Sequence, residues 1–187
     1  MEPRSITYWP DKERTKLIRI VIAEDQEMLL AAIGSLLNLE DDLEVVGLAA
    51  DGEEAISLVH RLKPDVCLMD IEMPKKNGLE AAEILMPMGC KIIIFTTFAR
   101  KGYWQRALKA NVRGYLLKDS PSDELADSIR SITDGNQIFS QELMDEELND
   151  FEHEESVNTE VLNEKLILGT VRKYLSTLKE KIKLPTG

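Results

Sequence analysis

The chain has 187 residues, a hydrophobic content of 43% and a formal net charge of −11 at pH 7. That length suits one globular domain with a shorter segment appended, and the apolar content is sufficient for a buried core. The negative charge disfavours nucleic-acid binding by the chain as a whole, and its apolar runs are too short to cross a bilayer.

The first predicted strand follows an N-terminal extension formed by residues 1–16. This extension is polar and charged and lacks the apolar stretch of a secretory signal, so we expect a cytoplasmic protein. The next seven residues, LIRIVIA, are nearly all apolar, which is typical of a strand covered on both faces. Glu24 and Asp25 follow directly, and apolar residues then recur at helical spacing. The two acids therefore lie in a turn between a strand and a helix.

Four more units of strand and helix follow. Their predicted strands cover Leu43 to Ala49, Val66 to Met69, Lys91 to Phe95 and Arg113 to Leu117. After each strand, apolar residues return at the spacing of a helix. This alternation predicts an α/β fold with a five-stranded parallel, doubly wound sheet and helices on both faces.

The alternation stops after Gly135, and the composition changes there. Residues 136–156 are predicted to form an acidic linker, which includes DEELNDFEHEE with its seven acidic residues. Residues 157–187 are mildly basic and regain apolar residues at helical spacing. That spacing predicts a short helical C-terminal segment, made of one or two amphipathic helices interrupted at Gly169.

Polar side chains lie directly after the ends of four of the predicted strands. They are Glu24 with Asp25, Asp70, Thr96 and Lys118. The carboxyl ends of neighbouring parallel strands meet at one edge of the sheet, where such folds bind their ligands. Three adjacent carboxylates raise one another's pKa unless a cation lies among them, and oxygen ligands suit Mg²⁺. A lysine and a hydroxyl at the same edge supply donors for a phosphoryl group, and an aspartate can be its acceptor. The structural alternative is a set of unrelated polar residues that cap loops.

Four segments, IAEDQEMLL, PDVCLMDIEMPKKNGLEA, KIIIFTTFA and VRGYLLKD, closely resemble one known family. They resemble the receiver domain of two-component response regulators of the LuxR/NarL type, and within it regulators of membrane-lipid desaturase expression. The resemblance implies a flavodoxin-like or CheY-like receiver domain over residues 17–135. It also implies a signalling protein rather than an enzyme, with a sensor histidine kinase as partner, dimerisation on phosphorylation and control of transcription.

The resemblance also implies which residues bind the metal and the phosphoryl group. Asp70 matches the phosphoacceptor. Asp25 matches a direct ligand of Mg²⁺ and Glu24 a ligand acting largely through water. Asp70 itself and the backbone carbonyl of Glu72 complete the protein ligands that the family pattern implies.

Two further positions match the residues that sense phosphorylation in this family. Lys118 is expected to pair with the phosphoryl oxygens, and the hydroxyl of Thr96 is expected to move onto them. Tyr115 matches the aromatic switch residue, which turns inward when Thr96 moves. Thr97 and Phe98 are expected to line the approach to the acceptor.

The C-terminal segment is too short for a complete LuxR-type output domain. Residues 157–187 resemble a helical remnant of a helix-turn-helix domain, in which Arg172, Lys173 and Lys179 are candidates for contacts with promoter DNA. The alternative is a receiver module that acts by binding another protein and not DNA. A hydrolase that works through an aspartyl phosphate is disfavoured, because Glu72 stands where an aspartate is expected and no cap domain is inserted.

Overall fold

A computed structural model describes residues 16–97, 102–119, 122–140 and 159–182. Six strands form a single sheet in which every pairing is parallel, in the order β2-β1-β3-β4-β5-β6. The strands in chain order are β1 (Ile18–Ala23), β2 (Leu43–Ala49), β3 (Val66–Met69), β4 (Lys91–Thr96), β5 (Gly114–Leu117) and β6 (Ile138–Phe139). The predicted doubly wound parallel sheet is therefore confirmed.

Each of the first five helices follows a strand, a sixth helix follows β6, and together they cover both faces of the sheet. They are α1 (Glu27–Leu37), α2 (Gly52–Leu62), α3 (Gly78–Leu85), α4 (Tyr103–Lys109), α5 (Ser122–Thr133) and α6 (Thr159–Ile182). Local capping sets where two of them begin. The Asp51 side chain accepts the backbone N–H of Glu54 at the start of α2, and Asn77 and Glu80 form a reciprocal capping box at the start of α3.

The sheet separates two hydrophobic cores, because side chains alternate between its faces along each strand. Ile92 and Ile94 of β4 point to the core shared with α2, α3 and α4. Ile93 and Phe95 of the same strand point to the core shared with α1, α5 and α6. The central strands are consequently mostly apolar on both faces, and buried polar side chains such as Asp70 and Thr96 lie at their carboxyl ends.

The sixth strand corrects the prediction of five. Ile138–Phe139 lies in the segment expected to be linker, and it pairs in parallel with Gly114 and Tyr115 of β5. Two residues are too few to show a strand pattern in sequence. The backbone groups along the open edge of β5 supply the partners that stabilise them.

The C-terminal helix corrects a second prediction. The helix α6 continues through Gly169 without a break, although a glycine inside a helix costs about 1 kcal/mol relative to alanine. Val171 and Tyr174 are 4% and 1% exposed, since they pack against the core beside α1 and α5. The ring of Tyr174 meets that of Phe95 edge-on, with 6.3 Å between centroids. Tertiary packing therefore offsets the weak helix propensity at Gly169.

None of the helices in the described part of the chain has the length and apolar content needed to cross a bilayer.

Candidate functional site

The ends of β1, β3, β4 and β5 meet at one edge of the sheet. Strand register places Ala23 beside Met69 and Met69 beside Ile94, and the backbone N–H of Asp70 donates to the carbonyl of Ala23 over 2.9 Å. The backbone N–H of Lys118 donates to the carbonyl of Thr96 over 2.8 Å. The residues that follow the strands are thereby brought to the same place, and these are Glu24, Asp25, Asp70, Thr96 and Lys118.

A buried lysine joins two of the carboxylates in this pocket. The Nζ of Lys118 lies 2.5 Å from Oε2 of Glu24 and 2.9 Å from Oδ2 of Asp70. Lys118 and Glu24 are each 1% exposed and Asp70 is 6% exposed. Burial alone lowers the pKa of Lys118, but the negative charges and hydrogen bonds of Asp70 and Glu24 outweigh it and raise that pKa overall. The ammonium group therefore stays charged in the pocket.

The pocket holds more negative than positive charge. Carboxylate oxygens of Glu24, Asp25 and Asp70 all lie within 4.8 Å of one another, whereas Lys118 pairs with Glu24 and Asp70 only. Burial raises the pKa of Glu24 to about 7, with the Asp70 charge adding to the effect and Lys118 opposing it. Partial desolvation and the Asp70 charge also raise the pKa of Asp25, which is the exposed member of the cluster. A cluster of carboxylate oxygens with surplus negative charge fits a hard divalent cation such as Mg²⁺.

Close packing of the following helix fixes the position of Asp70. The backbone N–H of Ile71 donates to Oδ1 of Asp70 over 2.7 Å, so one carboxylate oxygen is oriented by the main chain. A Cβ on Gly78 would lie 1.9 Å from the Asp70 carbonyl oxygen, so only glycine fits at the start of α3. Glu72 lies in the same loop, two residues beyond Asp70, and is partly buried.

A salt bridge that sequence analysis did not identify holds this loop against α2. The Nζ of Lys75 lies 2.5 Å from Oδ2 of Asp51, and the backbone N–H of Gly52 donates to the carbonyl of Lys76 over 3.2 Å. A hydrogen bond from Lys75 is the main cause of a lowered pKa at Asp51. Asp51 before Gly52 has the sequence signature of a helix cap, but its pairing with Lys75 depends on tertiary structure.

The two predicted switch residues lie on neighbouring strands next to the pocket. Thr96 ends β4 and is 3% exposed, while Tyr115 in β5 is 0% exposed and faces the core shared with α4. The Tyr115 side chain is thus already inward in this structure. Thr97 is partly buried beside them, and Phe98 lies outside the described residues.

The predicted DNA-contacting residues lie on α6, apart from the acidic cluster. Arg172 and Lys179 are exposed, whereas the ammonium of Lys173 donates to the backbone carbonyl of Asp119. Lys181 of the same helix pairs with Glu40, with 2.8 Å between Nζ and Oε1. One face of α6 is therefore occupied by contacts with the α/β domain, and Arg172 and Lys179 project from the other.

Comparison with known proteins agrees with this fold. Residues 20–130 match the family described as the response regulator receiver domain. The chain is 54% identical over 182 residues to the transcriptional regulatory protein DesR of Bacillus subtilis, and the match covers 90% of this chain and 92% of DesR. It is 48% identical to the uncharacterized transcriptional regulatory protein YvfU of the same organism, with 89% and 91% covered.

Solved structures show the same architecture. A LuxR-family DNA-binding response regulator from Staphylococcus aureus superimposes with a TM-score of 0.60 at 36% identity, over 63% of this chain and 99% of that one. The response regulator ChrA, from a heme-sensing two-component system, matches with a TM-score of 0.62 at 25% identity, over 91% of this chain and 92% of ChrA.

Proposed function

The chain belongs to the response regulators of two-component systems, and from this membership we propose that Asp70 accepts a phosphoryl group from a sensor histidine kinase. In this reaction a carboxylate oxygen of Asp70 attacks the phosphorus of a phosphohistidine. The oxygen–phosphorus bond forms, the phosphorus–nitrogen bond breaks, and the imidazole leaves with its electron pair. The observation that carries the proposal is the buried Asp70 carboxylate, 2.9 Å from Lys118 and surrounded by two further acids.

We further propose that Mg²⁺ is held by Asp25 and Asp70, by Glu24 through water and by the backbone carbonyl of Glu72. When bound, the ion neutralises negative charge on the phosphoryl oxygens. Asp25 supports this proposal because it shares the acidic cluster but has no salt-bridge partner within the described residues.

Lys118 has a separate part in this proposal. Its ammonium, charged and already aimed at Asp70, pairs with the phosphoryl oxygens after transfer. Phosphorylation adds about −1.5 to −2 charge and strong hydrogen-bond acceptors to a site that is already acidic. The new acceptors favour the conformation in which the Thr96 hydroxyl reaches them, which shifts the population of states.

Labelling with acetyl phosphate tests the phosphoacceptor. In the presence of Mg²⁺ we expect the wild type to be labelled and Asp70→Asn not to be. The matched control is Asp65→Asn, because Asp65 flanks the opposite end of β3 and accepts the backbone N–H of Arg19. We expect Asp65→Asn to be labelled like the wild type. Equal labelling of all three proteins would remove Asp70 from the mechanism.

The output of this regulator is transcriptional, and we propose that phosphorylation drives homodimerisation and that Arg172 and Lys179 then contact DNA phosphates. Their exposure on α6 supports this proposal. The second candidate is a protein-binding output without DNA contact, which is favoured by the burial of Val171 and Tyr174 against the receiver.

Binding to a mixed-sequence DNA duplex separates these two outputs. We expect Arg172→Ala with Lys179→Ala to weaken binding of the phosphorylated protein and to reduce its salt dependence by about two phosphate contacts. The control pair, Arg61→Ala with Lys63→Ala, removes equal charge at the end of α2, on the other face of the sheet. If both pairs behave like the wild type, the protein-binding output replaces direct DNA contact.

A further inference from the structure

The sixth strand is bonded to the part of β5 that leads into the pocket. The backbone N–H of Ser140 donates to the carbonyl of Tyr115 over 2.9 Å, and the backbone N–H of Leu117 donates to Oγ of Ser140 over 3.3 Å. Phe139 lies beside Tyr115 in the strand register. These contacts end one residue before Lys118.

The buried side chain of Tyr115 lies next to the ring of Trp104, which in turn contacts the ring of Phe139. The ring of Trp104 in α4 meets that of Tyr115 with centroids 5.9 Å apart and planes at 65°. The same indole meets the ring of Phe139 at 4.8 Å and 87°. Both are edge-to-face contacts, which favour specific ring positions. We call Trp104 and Phe139 the aromatic clasp.

The opposite edge of β5 is bonded to β4 and hence to the pocket. Thr96 pairs with Leu117 in the strand register, and its carbonyl accepts the backbone N–H of Lys118. The end of β5 therefore lies between Thr96 on one side and Ser140 on the other. A displacement of Tyr115 or Leu117 therefore changes the hydrogen bonds that join them to Ser140.

We propose that β6 is a positioning element of the switch, in which the aromatic clasp holds Tyr115 inward and docking of β6 favours the phosphoryl-bound state of the pocket. This inference rests on the proposed phosphoacceptor function of Asp70. Coupling between two binding equilibria is reciprocal, so a phosphoryl group at Asp70 strengthens the docking of β6 as much as β6 strengthens its binding. Phosphorylation of Asp70 thereby changes the contacts of β6, the strand that lies between α5 and α6 in the chain.

Neighbouring residues of β6 provide a matched pair of variants. Phe139 packs against the core that contains Tyr115, whereas Ile138 packs against the core on the other face of the sheet. Both side chains are partly buried. Phe139→Ala removes one of the two rings of the aromatic clasp, and Ile138→Ala removes apolar contact from the same strand on the face away from Tyr115.

The test measures binding of beryllofluoride with Mg²⁺, which mimics a phosphoryl group on aspartate. The chain has two tryptophans, so a Trp9→Phe background makes Trp104 the sole indole and a direct reporter on the clasp. We expect Phe139→Ala to weaken beryllofluoride binding about fivefold or more and Ile138→Ala to stay within about twofold of the background protein. Circular dichroism is recorded for each variant, to confirm that it is folded.

Hydrogen exchange supplies a measurement that needs no variant. The amide of Ser140, which donates to Tyr115, is expected to exchange several-fold more slowly when beryllofluoride and Mg²⁺ are bound. Equal affinity in both variants together with unchanged exchange at Ser140 overturns the coupling and leaves the phosphoacceptor intact. Failure of the background protein to bind beryllofluoride overturns the proposed function of Asp70, and the coupling with it.

Discussion

Two clusters of charged side chains in this protein have similar distances but different surroundings. In the pocket, Lys118 joins Glu24 and Asp70 at 2.5 and 2.9 Å. On the surface, Arg130 of α5 joins Glu40 and Asp42 at 2.8 and 2.7 Å. The Lys118 side chain is 1% exposed and that of Arg130 is 32% exposed. Short ion pairs alone therefore do not distinguish a functional site from a structural contact.

The pKa values of the acids distinguish the pocket from the surface cluster. Burial raises the pKa of Glu24 to about 7 in the pocket. Hydrogen bonds from Lys181 and Arg130 lower the pKa of Glu40 at the surface, and a hydrogen bond from Arg130 lowers that of Asp42. The surface acids are compensated by cations and remain accessible to water. In the pocket, Glu24 and Asp70 are buried beside one lysine, and the exposed Asp25 adds a further negative charge, so the acids exceed the cation that pairs with them.

Removal of the buried cation gives the largest expected effect. Lys118→Met leaves the carboxylates of Glu24 and Asp70 buried without their partner. We expect the free energy of unfolding to fall by about 3 kcal/mol at pH 8 in EDTA, as for other buried pairs that lose one member. Urea unfolding measures this loss. Mg²⁺ at about 10 mM is expected to restore part of the lost stability, because an ion that binds the folded state stabilises it. If Lys118→Met lowered the free energy of unfolding less than Arg130→Met does, the contrast between the buried pocket and the surface cluster would be contradicted.

The pH dependence of Mg²⁺ binding gives the next effect. Since the pKa of Glu24 is about 7 without metal, binding of the cation below that pH must displace a proton. We expect affinity to rise up to about tenfold per pH unit between pH 6 and 7 and to level off above. Calorimetry in two buffers of different ionisation enthalpy measures the released proton. Glu24→Gln should bind more weakly at pH 8 and show a flatter profile.

Glu24 also affects the pH dependence of stability, with a sign opposite to that of the surface acids Glu40 and Asp42. The raised pKa of Glu24 means that the folded state holds a proton more tightly than the unfolded state, whose value is 4.5. Its contribution to stability in EDTA therefore falls as pH rises from about 4.5 through about 7. Glu40 and Asp42 have lowered values, so their contribution is present above their unfolded values and is lost as pH falls through the folded ones. Urea unfolding of the wild type and of Glu24→Gln across this pH range separates the pH dependence due to Glu24 from that due to Glu40 and Asp42.

Removal of the surface cation gives a smaller effect. Arg130→Met is expected to reduce the free energy of unfolding by about 1 kcal/mol at pH 7, because exposed pairs contribute little and are screened. The loss should shrink in 1 M salt and at acidic pH, where Glu40 and Asp42 become protonated. Urea unfolding at two salt concentrations checks it, and a loss independent of salt would assign Arg130 a packing role instead.

The smallest effect is expected at the buried tyrosine of α6. The Tyr174 hydroxyl has no hydrogen-bond partner in the part of the chain that the structure describes, although the side chain is only 1% exposed. Tyr174→Phe keeps the ring against Phe95 and removes the polar atom, so we expect stability to stay equal or rise by up to about 1 kcal/mol. A decrease in the thermal midpoint would show that this hydroxyl is satisfied in solution.

Much of the pocket could be predicted from sequence because its parts are local. Apolar runs identified the five longer strands, and Glu24, Asp70, Thr96 and Lys118 each follow or end one of them. Once parallel strands are inferred, their ends must meet at one edge. The pairing of Arg130 with Asp42 spans 88 positions, and no periodicity in either segment indicates it. The same holds for Lys75 with Asp51, which brings two loops together.

The amino-acid sequence by itself determined the alternation of strand and helix and the residues that end each strand, because both depend on neighbours along the chain. Only the tertiary structure decided that Ile138–Phe139 adds a strand, that α6 passes through Gly169, and that Tyr115 contacts Trp104, which in turn contacts Phe139. These outcomes depend on surfaces offered by distant segments, namely the open edge of β5 and the apolar face beside α1. Contacts of that kind have no signature within the segments that make them, since their free energy is gained only once the sheet has formed.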